Sequence, residues 1–135
     1  MADSIKLELV TPTKVAAEVQ VSEVIATAVD GEFGVLPGHA LYIAQLKPGE
    51  VRFREKDQVK SFVVGRGFAE VGPERVVILT DSAEEPASLN AATIKAELAK
   101  DEERLKNLQP SDPDHAVLTD RTERNQARLA AVERR

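Results

Sequence analysis

The chain has 135 residues, which suits one domain of ordinary size or a small core with an appendage and excludes a large two-domain enzyme. With 42% hydrophobic and 30% charged residues the composition is that of a soluble globular protein, while the absence of Cys removes disulfides, thiolate metal ligands and a cysteine nucleophile, and two His with one Met argue against a zinc site. Eighteen basic against 23 acidic side chains give a net charge of -5, which repels phosphate backbones and anionic lipid, so no nucleic-acid partner is expected.

The opening MADSIKLELV alternates polar and apolar residues with an acid at position 3, so neither a signal peptide nor a transit sequence is expected. No run approaches the roughly 20 apolar residues that cross a bilayer, so no direct membrane insertion is expected either.

Composition breaks near Glu85-Pro86. All seven Gly and every aromatic residue (Phe33, Tyr42, Phe53, Phe62, Phe68) lie before it. The first 85 residues hold 9 basic and 14 acidic side chains, and the rest hold 9 of each. We therefore expect two domains, 1–86 and 87–135.

Before the break the hydrophobic period is two, as in Ile5-Lys6-Leu7-Glu8-Leu9 and Val51-Arg52-Phe53-Arg54. Turn signals at Thr11-Pro12, Asp30-Gly31, Pro37-Gly38, Lys47-Pro48-Gly49, Lys56-Asp57, Gly65 to Gly67 and Gly72-Pro73 cut this region into strands near 4–10, 13–21, 22–29, 40–46, 49–55, 58–65, 67–71 and 75–81. Short strands with no helix between them predict an antiparallel β-sandwich or barrel.

After the break Asn90 is a suitable N-cap for a helix over 90–108. Pro110-Ser111-Asp112-Pro113 ends it, and Asp112 with Pro113 starts a second helix running to about Arg134. So short a linker makes the two antiparallel neighbours, each about 28 to 33 Å long. The expected seam is Ile94, Leu98, Leu105 and Leu108 against Leu118, Thr122, Asn125, Leu129 and Val132. Two of the latter five are polar, so the hairpin is weakly amphipathic and should be mobile.

The densest motif is Asp30-Gly31-Glu32-Phe33-Gly34-Val35-Leu36-Pro37-Gly38-His39-Ala40. One reading makes Asp30 or Glu32 a general base beside His39, in a small stand-alone hydrolase. A second is a long turn whose glycines allow positive φ, with His39 bonded to backbone. A third is a recognition loop presenting Glu32 and Phe33 to a partner. Gly65-Arg66-Gly67 lacks the spacing of a phosphate loop and reads as a bulge or hairpin corner. Arg121, Arg124 and Arg128 share one helical side, as a solvated face or as a site for an anionic partner.

Glu32-Phe33-Gly34-Val35-Leu36-Pro37-Gly38-His39-Ala40, Leu46-Lys47-Pro48-Gly49, Gly67-Phe68-Ala69-Glu70-Val71 and Val76 to Asp81 with Ala83-Glu84 together resemble the epsilon subunit of the F-type ATP synthase. The likeness spans essentially the whole chain. It implies an α+β architecture: an N-terminal antiparallel β-sandwich of about ten short strands, then a C-terminal antiparallel two-helix hairpin. It also implies a non-catalytic rotor subunit of the central stalk, without cofactor, which binds the gamma subunit and the polar loops of the c ring. Gly31, Glu32 and Phe33 correspond to the c-ring contact and His39 to a gamma-facing position. The hairpin, with Arg121, Arg124 and Arg128, would reach the alpha and beta subunits of the catalytic head and inhibit ATP hydrolysis. The implied place is the cytoplasmic face of the bacterial cell membrane, as a peripheral part of the complex. The chain departs from the family pattern at Leu41, where Pro is common, and at Arg66, where Gly is common. Members that bind ATP on the hairpin carry an acid and an Arg where this chain has Leu89-Asn90-Ala91-Ala92-Thr93-Ile94, which leaves Arg124 and Arg128 as the residues that could still meet a phosphate.

Overall fold

A computed structural model describes residues 3–134. They form two compact units that divide between Glu85 and Pro86.

The first unit contains β1 (Ile5–Val10), β2 (Val15–Val21), β3 (Glu23–Ala28), β4 (Gly31–Val35), β5 (Tyr42–Leu46), β6 (Gly49–Glu55), β7 (Gln58–Val64), β8 (Gly67–Val71), β9 (Arg75–Thr80) and β10 (Ala83–Glu84). Hydrogen bonding runs β10-β7-β6-β3-β5-β8-β9-β1-β2, with β4 added to β3. Strand β3 turns this continuous sheet into a sandwich. Its start pairs with β6 (Val24 opposite Phe53) and its end with β5 (Ala28 opposite Leu46), so one edge serves both layers.

Alternation decides which side chains go inside. Ile5, Leu7 and Leu9 of β1 are buried while Lys6 and Glu8 face outward. Val24, Ala26, Ala44, Leu46, Val51, Phe53, Ala69, Val71, Val76 and Ile78 are among the other core residues, with Phe33 and Phe62 packed against them. Phe53 and Phe62 stack with ring centroids 6.2 Å apart.

The eight strands expected from the sequence are all present, and two more appear. Gly31–Val35, expected as a long turn, is strand β4, and only Val29 and Asp30 form the turn. Gly31 adopts φ +128 directly after it, a region that favours glycine. Once past that bend, the backbone groups of Glu32 to Val35 are paired against β3, from Thr27 opposite Glu32 to Val24 opposite Val35. The second is β10, which pairs with the end of β7. The sheet is also not wholly antiparallel, because β1 and β9 lie parallel, with Leu7 opposite Val76 and Leu9 opposite Ile78. Such a pair cannot be joined by a tight turn, so local turn chemistry gives no sign of it.

The second unit begins with a single 3-10 turn, Pro86–Ser88, followed by α1 (Ala91–Leu105) and α2 (Pro113–Arg134). Both predicted caps operate. Asn90 accepts from the Thr93 amide at 3.0 Å, and the Asp112 carboxylate accepts from the Asp114 amide at 2.9 Å. Helix α1 stops three residues before the expected 108, because the amides of Asn107 and Leu108 turn to carbonyls only three residues back and tighten the chain. Cross-helix pairs link Arg104 to Asp114, Arg121 to Asp101 and Asn125 to Glu97, an order that makes the helices antiparallel.

Gly67 opens β8 opposite Thr80, and a Cβ placed there would lie 1.9 Å from the Leu79 carbonyl oxygen and 2.8 Å from the Thr80 Cα. Backbone cannot withdraw as a side-chain tip can. Gly67→Ala should cost about 2 to 3 kcal/mol, seen as a lower urea midpoint with an unchanged m-value.

Candidate functional site

The β3–β4 hairpin holds most of the residues singled out in the sequence, and it gives each a separate environment. Asp30 occupies the turn. Glu32 points off the outer face of β4, where its carboxylate meets Arg52 Nη2 of β6 at 3.2 Å while staying 59% exposed. Phe33, on the opposite face, sits edge-on to Tyr42 with centroids 5.5 Å apart. His39 contacts the Ala40 carbonyl oxygen through Nδ1 at 2.7 Å and lies 6.3 Å from the Tyr42 ring. Glu32 and His39 therefore have different partners on different faces, and the base-and-histidine arrangement of a hydrolase is not assembled. Glu32 is also not the free tip of a loop, because a strand carries it into reach of Arg52.

The outer face of β5, β8 and β9 carries what the sequence reading missed. Alternation there places Ile43, Glu70 and Val77 in one cross-strand row and Gln45, Phe68 and Leu79 in the next. With Ala44, Ala69 and Ile78 buried beneath, these three strands also carry Ile43, Phe68, Val77 and Leu79 outward, interrupted by Gln45 and Glu70. Leu41 is 84% exposed, Ile43 72%, Phe68 56% and Leu79 53%. Leu41, Ile43, Val77, Glu70 and Arg75 are among the residues around a shallow hollow of about 370 Å³. An exposed cluster of large apolar side chains of this kind is a candidate interaction surface. The signal was present in the sequence, since strands 67–71 and 75–81 alternate large apolar residues with residues that must themselves be core.

A chain of charges borders this face. Arg75 meets Glu8 at 2.9 Å, Glu8 meets Lys6 at 3.4 Å, and Lys6 meets Glu18 at 3.2 Å, crossing β9, β1 and β2. The hydrogen bond from Arg75 holds the Glu8 carboxyl below its ordinary value, and those to Glu18 and Glu8 raise the Lys6 ammonium.

In the hairpin, the cation run is already engaged. Arg121 grips Asp101 with two parallel bonds, Nε to Oδ2 at 2.6 Å and Nη2 to Oδ1 at 2.7 Å. Arg124 Nε binds Asp120 at 2.7 Å, and Arg128 donates to Asn125 Oδ1 at 2.9 Å. All three arginines thus have internal acceptors within the hairpin. Ile94, Leu118, Thr122 and Asn125 are buried as the expected seam has them, Asp101 joins them, and Leu98, Leu105, Leu108, Leu129 and Val132 are only half-buried. Asp101 lies seven residues after Ile94 and on its face, a position passed over because it is charged. Among the described residues no group of three or more His, Asp or Glu could hold a metal ion.

Residues 4–86 match the family model described as ATP synthase, Delta/Epsilon chain, beta-sandwich domain. Over 129 residues the chain is 36% identical to the ATP synthase epsilon chain of Geobacter sulfurreducens, covering 96% of this chain and 94% of that one. The chain belongs to the epsilon-subunit family of the F-type ATP synthase. The epsilon chain of Geotalea daltonii is similar at 37% identity over 124 residues, 92% of this chain and 90% of its relative. Epsilon-like architecture extends further: a chain of the Euglena gracilis mitochondrial ATP synthase superposes with a TM-score of 0.86 at 22% identity, over 98% of this chain and 83% of that one. A chain of the Tetrahymena thermophila enzyme gives 0.60 at 14% identity, over 95% and 96%. The two-layer sheet followed by a helical pair is thus an epsilon fold, as the sequence resemblance implied.

Hydrogen bonding from Arg121 keeps the Asp101 carboxyl below its ordinary value, against the opposing effect of burial, with Lys100 and Arg104 adding to the depression. A depressed carboxylate stabilises the fold above its unfolded value, near pH 4, and loses that contribution as pH falls through the folded value. Helical circular dichroism should therefore decline below about pH 4, and Asp101→Asn should flatten this limb while lowering the signal at neutral pH.

Proposed function

We propose that the chain is the non-catalytic central-stalk subunit of a proton-translocating F-type ATP synthase, coupling c-ring rotation to the catalytic head through gamma and restraining ATP hydrolysis with its hairpin. The observation that carries this reading is the exposed apolar face around Leu41, Ile43, Phe68 and Leu79. A rotor part must be gripped firmly enough to transmit torque, and an apolar surface ringed by charges offers both burial and a fixed orientation. We assign this face to gamma, with His39 beside its Tyr42 end. The β3–β4 end, with Gly31, Glu32 and Phe33, is assigned to the c-ring loops. Solved ATP synthases that contain chains of the same fold include the c ring in their composition, which supports this placement. The hairpin faces the alpha and beta subunits in this scheme, and the complex holds the chain at the cytoplasmic face of the membrane. Among the described residues no helix is long and apolar enough to span it. The hydrolase alternative has no support in the separate environments of Asp30, Glu32 and His39.

The reading is tested in reassembled complexes. Ile43→Glu should place a carboxylate in the apolar face beside Glu70 and lower retention of the chain on gamma at least tenfold, as a buried unpaired charge does. Glu32→Lys should leave retention unchanged and reduce proton-driven ATP synthesis in membrane vesicles. Retained binding by Ile43→Glu would remove this face from the interface, and unchanged synthesis with Glu32→Lys would remove the c-ring assignment.

Truncation after Glu85 tests the brake. ATP hydrolysis by the complex should rise severalfold while the β-sandwich stays bound, and an unchanged rate would exclude inhibition by the hairpin.

A further inference from the structure

The helical pair has an unusual seam. Its buried apolar residues are Ile94, Leu118 and Ala131, and Asp101, Thr122 and Asn125 are buried beside them. Thr122 Oγ1 has no hydrogen-bond partner among the described residues. Apolar contacts tolerate sliding of one helix along another, and so few of them register two helices poorly. The polar contacts tolerate one register only. Arg121 matches Asp101 through two guanidinium nitrogens, Nε and Nη2, and Asn125 donates to Glu97 at 2.7 Å while accepting from Arg128 at 2.9 Å.

The pair is also lopsided in exposure. The Asp101 side chain is 2% exposed and that of Arg121 is 44%. Removing Arg121 would leave a covered carboxylate without its partner, which favours separation of the helices over a local adjustment. The accessible guanidinium, by contrast, can be reached by salt or by a competing carboxylate while the hairpin is still closed. Glu97 already stands 3.8 Å from Arg121 Nε. Lys100 and Arg104 flank Asp101 on its own helix, and Arg104 is itself joined to Asp114 at 3.1 Å.

We propose that Asp101–Arg121, extended by Glu97, Asn125 and Arg128, is a latch that sets whether the two helices are paired, and that it is released at its exposed arginine half. Every group of the latch belongs to the chain, so closure draws on internal carboxylates. These are positioning residues. The latch rests on the geometry of the hairpin, and its consequence for hydrolysis rests on the brake proposed above.

The test is amide hydrogen exchange on the full chain, reading α1 and α2 with β1 and β9 as internal reference. Asp101→Asn and Arg121→Gln should each accelerate helix exchange roughly tenfold, as loss of a charge-assisted bidentate contact does. The double variant should exchange no faster than either single one, since both remove the same interaction. High salt should accelerate exchange in the natural chain, and an apolar pair, Asp101→Leu with Arg121→Met, should keep the helices closed and insensitive to salt. Single variants within twofold of the natural chain, effects that multiply in the double variant, or an apolar pair that stays salt-sensitive would each overturn the latch. On the brake reading, with the separated helices as the form that reaches the alpha and beta subunits, Asp101→Asn should deepen inhibition of hydrolysis in the assembled complex. If exchange accelerates and hydrolysis does not change, the latch stands and the brake fails.

Discussion

The divided pairing of β3 organises the sandwich. A strand whose first half bonds to β6 and whose end bonds to β5 commits one edge to two layers, and the requirement that buried peptide groups find partners leaves little freedom elsewhere. With that edge occupied, the β3–β4 hairpin can form only on the other. This carries Glu32 over to Arg52 and turns Phe33 toward Tyr42. The same edge sends β5 into the second layer, where its outward residues meet those of β8 and β9. The apolar face and the glycine-rich end are thus two results of one topological choice.

The two units use opposite means of cohesion. Alternating side chains give the first a continuous core from Ile5 to Ala83, and pairs such as Glu8 with Arg75 decorate its surface, where solvent leaves them little weight. The second places its ionic contacts at the centre and most of its leucines at the margin. Hydrophobic cohesion is indifferent to small displacements and to salt. Polar registration is exacting in geometry and open to competition. Under the function proposed above, a part that transmits torque benefits from the former, and a part that changes position benefits from the latter.

Much of this was legible in the residues. Period-two runs located eight strands, turn residues bounded them, and Asn90 and Asp112 fixed the helix starts. The failures have common physical causes. Gly31 and Gly34 made β4 look like a turn, because glycine permits bends without requiring them, and the ladder against β3 settled the matter. The parallel approach of β1 to β9 joins positions some 70 residues apart and leaves no mark on either segment. Asp101 was excluded from the seam by its charge, since the residue that neutralises it stands 20 positions later on another helix. Phe68 and Leu79 were assigned to strands correctly, yet their outward side, which alternation shares with Glu70 and Arg75, was not read as a surface.

The pairing of β1 with β9 also bears on synthesis. The first strand cannot complete its hydrogen bonds until Thr80 has been made, so the opening residues must remain soluble while most of the sandwich is translated. Their alternation of Lys6 and Glu8 with Ile5 and Leu7 keeps charge next to each apolar side chain during that interval. The 50 residues after Glu85 then occupy the ribosome for roughly 3 to 10 s at ordinary elongation rates. That delay matches the millisecond-to-second closure of a β topology dominated by distant contacts. Placing the helical pair after the sandwich gives the slow-folding part a head start over the part that folds through local contacts.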